Sequence, residues 1–451
     1  MSMKDIYNFL PIPIQNIVCD LKGIQINHTR FNKDFLKTLD DFNKRTDWNH
    51  NQLKEYRDDQ IRRLVRHCYE TVPFYRNAFN ERGIDYRSIN GLDDLKLLPV
   101  IDKKIVLQNS SQFVSTKVKQ YKVIHSHTSG TTGAGFRFLT TQESIQAQWA
   151  TFWRLYIKTG ISRDERQATF SGQMVVPTRQ SEPPFWRYVN SQNRVYFSAY
   201  HEKEETMRYY YEELKKSEIT WINGYPSLIA PLAEYMLRNN LCNPGIRFVS
   251  TGAENLYDYQ GNQIKQAFEG AHFIQTYGQA ENVAFFSQDA KGNIWVEEDA
   301  AAVEFIPNDG FNYDIIGTNL YNYAMPLLRY KTGDQARIDI HSDGRRRVIA
   351  IDGRSEDYIY LPSGIKLGKL DTAFKDAVHI SESQIYQRED YSIIIKAVLK
   401  SPEGKSEVEM AKKWIVDATG SEVPVSIEYV DMIPRTKTQK LRYVISEVVG
   451  K

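Results

Sequence analysis

The chain is poor in cysteine, with three in 451 residues: Cys19, Cys68 and Cys242, all far apart. They form neither a disulfide framework nor a C-x-x-C metal pair, and free thiols fit a reducing compartment, so a cytoplasmic setting is expected. Net charge is also scarce. Lys+Arg 58 against Asp+Glu 56 leaves +2 with histidine neutral. That balance argues against a nucleic-acid binder acting through bulk charge, and it provides no polybasic membrane patch. No apolar run approaches the ~18–20 residues that cross a bilayer, so no membrane insertion is expected. The first residues carry Lys4, Asp5, Pro11 and Pro13, where a secretory signal needs an unbroken apolar stretch. Low-complexity tracts and solenoid-length repeats are absent too. What remains is an ordinary globular composition, 41% hydrophobic and 25% charged. At roughly 150 residues per domain, the length suggests two or three domains, and a monomer or homodimer is expected.

Residues 1–50 mix prolines, charges and short apolar stretches and read as an irregular entry segment with some helix. From Gln52 to Glu70, Leu53, Ile61, Leu64, Val65 and Cys68 fall near helical spacing, and Thr71-Val72-Pro73 ends the helix. Tyr121–His125 and Phe136–Leu139 read as two strands around a Gly/Ser/Thr loop. Thr140-x-x-Glu143 then predicts a capping box for a helix with Ile145, Trp149, Phe152, Trp153 and Tyr156 on one face. Those aromatics suit core packing or the wall of a substrate pocket. Ile219–Asn223, Ile246–Ser250 and His272–Thr276 are short apolar strands of parallel-sheet type with helical patterns between them. Asp343-Gly344 predicts a two-residue hairpin turn, and Arg345-Arg346-Arg347 a solvated strand end. After Gly353-Arg354 the style changes: a strand over Tyr391–Leu399, a helix over Ser406–Ala418 and a strand over Val423–Val430 make a small β-α-β unit.

Thr128-Ser129-Gly130-Thr131-Thr132-Gly133-Ala134-Gly135 is the strongest local signal. Its glycines let backbone N–H groups approach a ligand and its hydroxyls can donate to phosphate oxygens. By composition alone a hairpin tip fits equally well. The G-x-x-x-x-G-K-[ST] spacing is missing, which argues against a P-loop kinase. Gln275-Thr276-Tyr277-Gly278-Gln279-Ala280-Glu281 follows an apolar strand; Tyr277 could stack on a base, and Glu281 is a hard oxygen donor suited to magnesium. Ser250-Thr251-Gly252-Ala253-Glu254 is another small-residue loop at a strand end, the usual ligand side of an open parallel sheet. Tyr330-Lys331-Thr332-Gly333-Asp334 sets a carboxylate after a glycine, as a ribose acceptor or a plain turn aspartate. Pro434–Arg442 is a basic polar loop.

In this order the set resembles the adenylate-forming superfamily of acyl-CoA synthetases, adenylation domains and luciferases. Within it, the chain is similar to the phenylacetate–CoA ligase family and its capsular-polysaccharide-biosynthesis branch. The resemblance runs from about Thr71 to Arg442, with Leu10–Asn16 and Val72-Pro73-Phe74-Tyr75 leaning towards the capsule branch. It implies an α/β fold: a large N-terminal domain (1–353) of mixed β-sheets flanked by helices, with a β-rich part, and a small mobile α+β C-terminal domain (354–451). It implies ATP and Mg²⁺ as cofactors. Ser129, Gly130, Thr131, Thr132 and Gly133 would hold the β- and γ-phosphates, and Gly252, Ala253 and Glu254 would border the adenine. Tyr277, followed by Gly278, would stack on adenine, with Glu281 as the magnesium carboxylate. Asp334 and Arg354 would bind the ribose, Glu356 would be the hinge, and Lys440 would bridge the carboxylate and α-phosphate during adenylation. Ala134 stands where the family often has lysine, and Gln439 where it usually has glycine. Trp149, Trp153, Phe170 and Tyr225 are the candidate acyl-pocket residues. The expected reaction is activation of a small-molecule carboxylic acid as acyl-AMP with release of pyrophosphate. Transfer follows to coenzyme A or, alternatively, to an amine or hydroxyl of a sugar. A nucleotide-binding protein with decayed catalysis is the rival reading.

Overall fold

The computed structural model describes residues 3–127, 137–308, 312–354, 359–363, 366–367, 370–374, 377, 379–436 and 441–448. The described chain divides into two compact units, one of 1–166, 188–194 and 274–351, the other of 167–187, 195–273 and 352–451.

The first unit opens with helices Met3–Phe9, Ile12–Arg30 and Lys33–Lys44, so the entry segment is mostly helical rather than irregular. Pro11 and Pro13 do not break the second helix because they fall at its N-cap and first turn, where a missing N–H costs nothing. Asn32 caps the third, accepting from the N–H groups of Asp34 at 3.0 Å and Phe35 at 3.2 Å. His50–Thr71 starts with a capping box of Asn49 and Gln52 and stops before Pro73, which begins the next helix, Pro73–Glu81. Its Ile61, Leu64, Val65 and Cys68 enter one core with Phe79, Phe113, Ala302, Leu327 and Tyr330.

Val123–His127 pairs antiparallel with Arg137–Thr141, the expected strand–loop–strand unit. The helix after it, Gln142–Lys158, is capped by Thr141, whose hydroxyl accepts from the Ser144 N–H at 3.1 Å. Thr140 is instead paired with Ile124 in the ladder, one residue from the expected cap. A run of antiparallel strands follows, including Ala301–Pro307, Tyr313–Asn319 and Tyr330–Ile340. The chain reverses at 341–345, where Gly344 has φ +86°, before Arg346–Arg354. His272–Gly278 pairs antiparallel with Phe285–Gln288, so this strand is not purely of the parallel type expected.

Buried ion pairs tie this unit together. Arg154 donates to both Asp299 oxygens at 2.7 and 2.8 Å, and Arg45 adds a third bond at 2.7 Å. Arg57 at 2.6 Å and Arg346 at 2.7 Å share Glu298. Arg346 is therefore a structural cation and not part of a solvated run. Its strand neighbours Arg345 and Arg347 pair with Asp343 and Asp339 nearer the surface.

In the second unit Gln167–Ser171, Trp221–Gly224 and Phe248–Thr251 are parallel neighbours. Helices Glu204–Lys216, Pro226–Arg238 and Asp258–Ala267 accompany them. Gly224 is required: a Cβ there would lie 2.3 Å from the Phe170 carbonyl oxygen. The C-terminal part has its own core from Ile359 to Val444. Its strand order is Val425–Tyr429, Ile393–Leu399, Ile380–Gln387, Val444–Ser446, and the first two are parallel across helix Gly404–Ala418. The β-α-β unit read from the sequence is present.

Candidate functional site

In the first unit, Tyr277 ends one strand and Asp334 lies in another, 57 residues later. They meet where the Tyr277 hydroxyl donates to Asp334 Oδ2 at 2.7 Å. The Tyr277 ring stacks on Phe286, with centroids 4.6 Å apart and planes 15° off parallel. Gln279 Nε2 donates to the same hydroxyl. Burial, and then the negative Asp334, push the phenol well above its ordinary range, so it is a proton donor at all physiological pH. Asp334 is oriented from its other end as well, its N–H donating to Thr332 Oγ1 at 3.0 Å, after Gly333 at φ +85°. A carboxylate accepts at about four lone-pair positions, so the Tyr277 bond is compatible with further donors.

Glu281 is held on two sides. Its Oε1 accepts from the Tyr330 hydroxyl at 3.2 Å, and its carbonyl accepts from Asn319 Nδ2 at 2.9 Å. The next residue, Asn282, is left-handed at φ +57°. Among the described residues no group of three or more His, Cys, Asp or Glu could cage a metal ion. A single half-buried carboxylate does fit magnesium, which keeps several waters and leans on substrate phosphates.

Gly278 marks the end of an aromatic ladder. A Cβ on it would lie 3.1 Å from Phe285 and 3.6 Å from Phe152. Phe152 packs edge-on to Phe285 at 5.9 Å and to Trp149 at 5.9 Å, and Trp149 packs on Phe31 at 5.4 Å. Trp153 is buried on a different line, against Tyr156 at 5.7 Å and Arg163 at 5.7 Å. Phe152, named in the sequence only among the helix-face aromatics and not among the four candidate pocket residues, is thus the one beside Tyr277-Gly278. The signal was present as the three-residue step from Trp149.

In the second unit, Ser250 is fixed by Trp221 Nε1 at 2.8 Å and Asn223 Nδ2 at 2.7 Å. The loop then turns through Gly252 and Ala253, the latter at φ +66°, a conformation that costs a non-glycine residue of order 1–3 kcal/mol. Glu254 Oε2 accepts from the Ser227 N–H at 3.3 Å, in the first turn of helix Pro226–Arg238, where a negative charge is favoured. Tyr225 precedes that helix, its phenol pushed up by burial and then by Glu254. Phe170 is buried in a stack with Phe197, centroids 4.9 Å apart and planes 4° off parallel.

The same unit holds a polar cavity lined by Ser227, Glu234, Tyr259, Gln260, Glu382, Arg435 and Tyr443, among others. Arg435 pairs with Glu382, and Tyr443 meets Tyr259 at 2.5 Å and Gln260 at 3.0 Å. Glu202 lies beside this pair with Oε1 enclosed and unbonded. Burial raises its carboxyl well above the ordinary range, with Arg435 opposing and Glu382 and Glu254 reinforcing. Apart from the basic loop that carries Arg435, no motif announced this cluster, since its members come from five separate segments. Ser129, Gly130, Thr131, Thr132, Gly133, Glu356 and Lys440 lie outside the described residues, and Arg354 is described only as the end of its strand.

Comparison with known proteins agrees with this architecture. Residues 362–447 match the CapK C-terminal domain family. Protein CapK of Staphylococcus aureus is 25% identical over 456 residues, covering 98% of this chain and 99% of that protein. A phenylacetate-coenzyme A ligase of Pseudomonas putida is 25% identical over 327 residues, 68% of this chain and 72% of that protein. Among solved structures, 2-hydroxyisobutyryl-CoA ligase in its postadenylation state aligns with a TM-score of 0.66 at 16% identity, over 89% of this chain and 90% of that one. That likeness shows the fold. No helix of the described residues is long and apolar enough to cross a membrane.

Proposed function

Because this chain belongs to the adenylate-forming superfamily, in the capsule branch of the phenylacetate–CoA ligase-like family, we propose that it activates a carboxylic acid as acyl-AMP at the expense of ATP. The acyl group then passes to an acceptor. The observation that carries the reading is the Tyr277–Asp334 pair, which joins the proposed adenine-stacking ring to the proposed ribose carboxylate across 57 residues.

In the first half-reaction a carboxylate oxygen attacks the α-phosphorus and pyrophosphate leaves. The protein's work is alignment and charge neutralisation. Tyr277, backed by Phe286, holds the base; Asp334 accepts from the ribose hydroxyls; the 129–133 loop donates N–H and hydroxyl groups to the β- and γ-phosphates. Gly252, Ala253 and Glu254 border the adenine, and Arg354 gives a second ribose contact. Lys440 bridges the incoming carboxylate and the α-phosphate. Glu281 is the carboxylate that would hold magnesium, which when bound supplies positive charge to the phosphate oxygens. Residues 354–451 act as a lid hinged at Glu356 that serves both half-reactions from a cytoplasmic enzyme.

For the acceptor, the near full-length relation to Protein CapK, against about two thirds for the coenzyme A ligase, supports an amine or hydroxyl of a sugar. Coenzyme A is the second reading, supported by the fold shared with a coenzyme A ligase. ATP–pyrophosphate exchange across a panel of aryl, alkyl and amino acids, followed by challenge with amino sugars and with coenzyme A, tests both. Acid-dependent exchange is expected with at least one acid. Its absence across the panel, with ATP still bound, points to the decayed enzyme instead.

A further inference from the structure

The helix Ile12–Arg30 is attached by the wrong side for an ordinary amphipathic helix. Its polar edge faces the protein. Asn16 Oδ1 accepts from the Tyr188 N–H at 3.1 Å, Asp20 Oδ1 from the Ser191 N–H at 2.7 Å, and Asn27 Nδ2 donates to the Ser191 carbonyl at 2.6 Å. Gly23 lets the backbones close up, since a Cβ there would lie 2.4 Å from Val189 Cγ1. The apolar edge faces solvent. Ile14, Ile17, Val18, Leu21 and Ile24 are 39–60% exposed, and Ile6 and Phe9 of the preceding helix extend the patch. Gln15, buried, ties the two helices by donating to the carbonyls of Tyr7 and Leu10 at 3.2 and 2.9 Å. The docking bonds therefore fix the orientation that leaves the apolar edge outside.

The exposed residues are spaced as a helix–helix seam. Ile14, Ile17, Leu21, Ile24 and His28 step by three, four, three and four, the a/d rhythm of two heptads. Seven large apolar side chains at about half exposure reach the size of the largest patches on single-chain proteins, roughly 300–600 Å². Two such patches face to face come to about 600–1,200 Å², whose upper end meets the lower bound of specific interfaces. We propose that the seam is covered by the same helix of a second copy of this chain, antiparallel about a two-fold axis at Leu21. That register sets Val18 against Ile24 and Ile14 against His28. Like charges do not meet. A bilayer is the poorer occupant, because interfacial helices carry lysine and arginine along their polar face. Here that face carries Asn16, Asp20 and Asn27 and is bonded to protein, while Lys22 is turned onto Gln25 at 2.8 Å.

Sedimentation velocity of the full chain at about 20 μM tests this. A species of twice the 52.4 kDa chain mass is expected. The variant Ile17→Glu/Leu21→Glu should sediment as a single chain with an unchanged melting temperature, since both side chains are exposed. In a Cys19→Ser/Cys242→Ser background, Leu21→Cys should cross-link to a dimer on mild oxidation and Leu36→Cys, exposed on the next helix, should not. A wild-type protein that sediments as one chain, or a dimer that survives the double variant, overturns the proposal. So does a single chain that floats with phosphatidylcholine–phosphatidylglycerol vesicles, which assigns the seam to a bilayer.

Discussion

Asp334→Ala tests the nucleotide site most directly, because the expected loss depends on which hydroxyls the nucleotide carries. The carboxylate is oriented by Tyr277 at 2.7 Å and by its own N–H on Thr332 at 3.0 Å. A hydrogen bond to a charged group contributes about 1.5–3 kcal/mol. At a partly buried position we take the lower figure, which is roughly tenfold in affinity per ribose hydroxyl. The wild type should therefore bind ATP about tenfold more tightly than 2′-deoxy-ATP or 3′-deoxy-ATP. Asp334→Ala should weaken ATP by about 100-fold and each deoxynucleotide, which keeps one hydroxyl, by about tenfold, so that the preference collapses towards one. Tyr277→Phe keeps the stack on Phe286 and removes only the orienting bond. A loss of about 3–10-fold with part of the preference retained is expected. Titration calorimetry with the three nucleotides in magnesium buffer reads all of this. An unchanged preference in Asp334→Ala refutes the ribose role. An equal loss for all three nucleotides, with a lowered melting temperature, reduces the residue to a structural support of Tyr277.

Lys440→Ala should lower acid-dependent ATP–pyrophosphate exchange by about 10²–10³-fold and spare acyl transfer from supplied acyl-adenylate; survival of both steps removes Lys440 from the chemistry. Arg154→Met takes two bonds from Asp299, which is 1% exposed. It should cost about 3–5 kcal/mol in urea unfolding, cushioned towards the lower value by Arg45; a cost under about 1 kcal/mol refutes the pairing as a stabiliser. Glu202 has a folded pKa raised above the ordinary glutamate value of 4.5. Its contribution to stability is then complete below pH 4.5 and is lost as pH rises through the folded value. Glu202→Gln should unfold at higher urea than wild type at pH 7.5, with the difference closing towards pH 4.5; no difference at pH 7.5 shows that the carboxyl is not strained there.

Periodic and punctuated elements were legible, because their cause is local. The helix His50–Thr71 shows its apolar step and its terminating proline in the local sequence, although its Asn49–Gln52 cap was not read there, and the β-α-β unit of 393–429 shows the change of period. The misreadings are places where one residue has two local meanings. Pro11 and Pro13 look like breakers and act as helix starters. Thr140 and Thr141 are both competent caps, and the strand pairing of Thr140 with Ile124 decides between them. Trp149, Phe152 and Trp153 share a helical face on paper, yet one step of 100° sends Phe152 towards Gly278 and Trp153 into a separate packing line.

The candidate site was legible through the order of its motifs and not through their geometry, since no local pattern links Tyr277 to Asp334 or Glu281 to Tyr330. The charge balance shows the same limit from the other side. A net +2 treats every arginine alike, whereas Arg45, Arg57, Arg154, Arg329 and Arg346 are committed to Asp299, Glu298 and Glu304 inside the first unit. Arg435 is committed to Glu382 in the second. Cations already bonded to carboxylates are weak partners for a polyphosphate, because each would have to abandon a buried anion. The proposed chemistry then rests its protein-borne positive charge on few residues. It uses backbone N–H and hydroxyl groups at 129–133 for the outgoing phosphates and one lysine, Lys440, at the α-phosphate. A near-neutral chain can bind ATP on those terms.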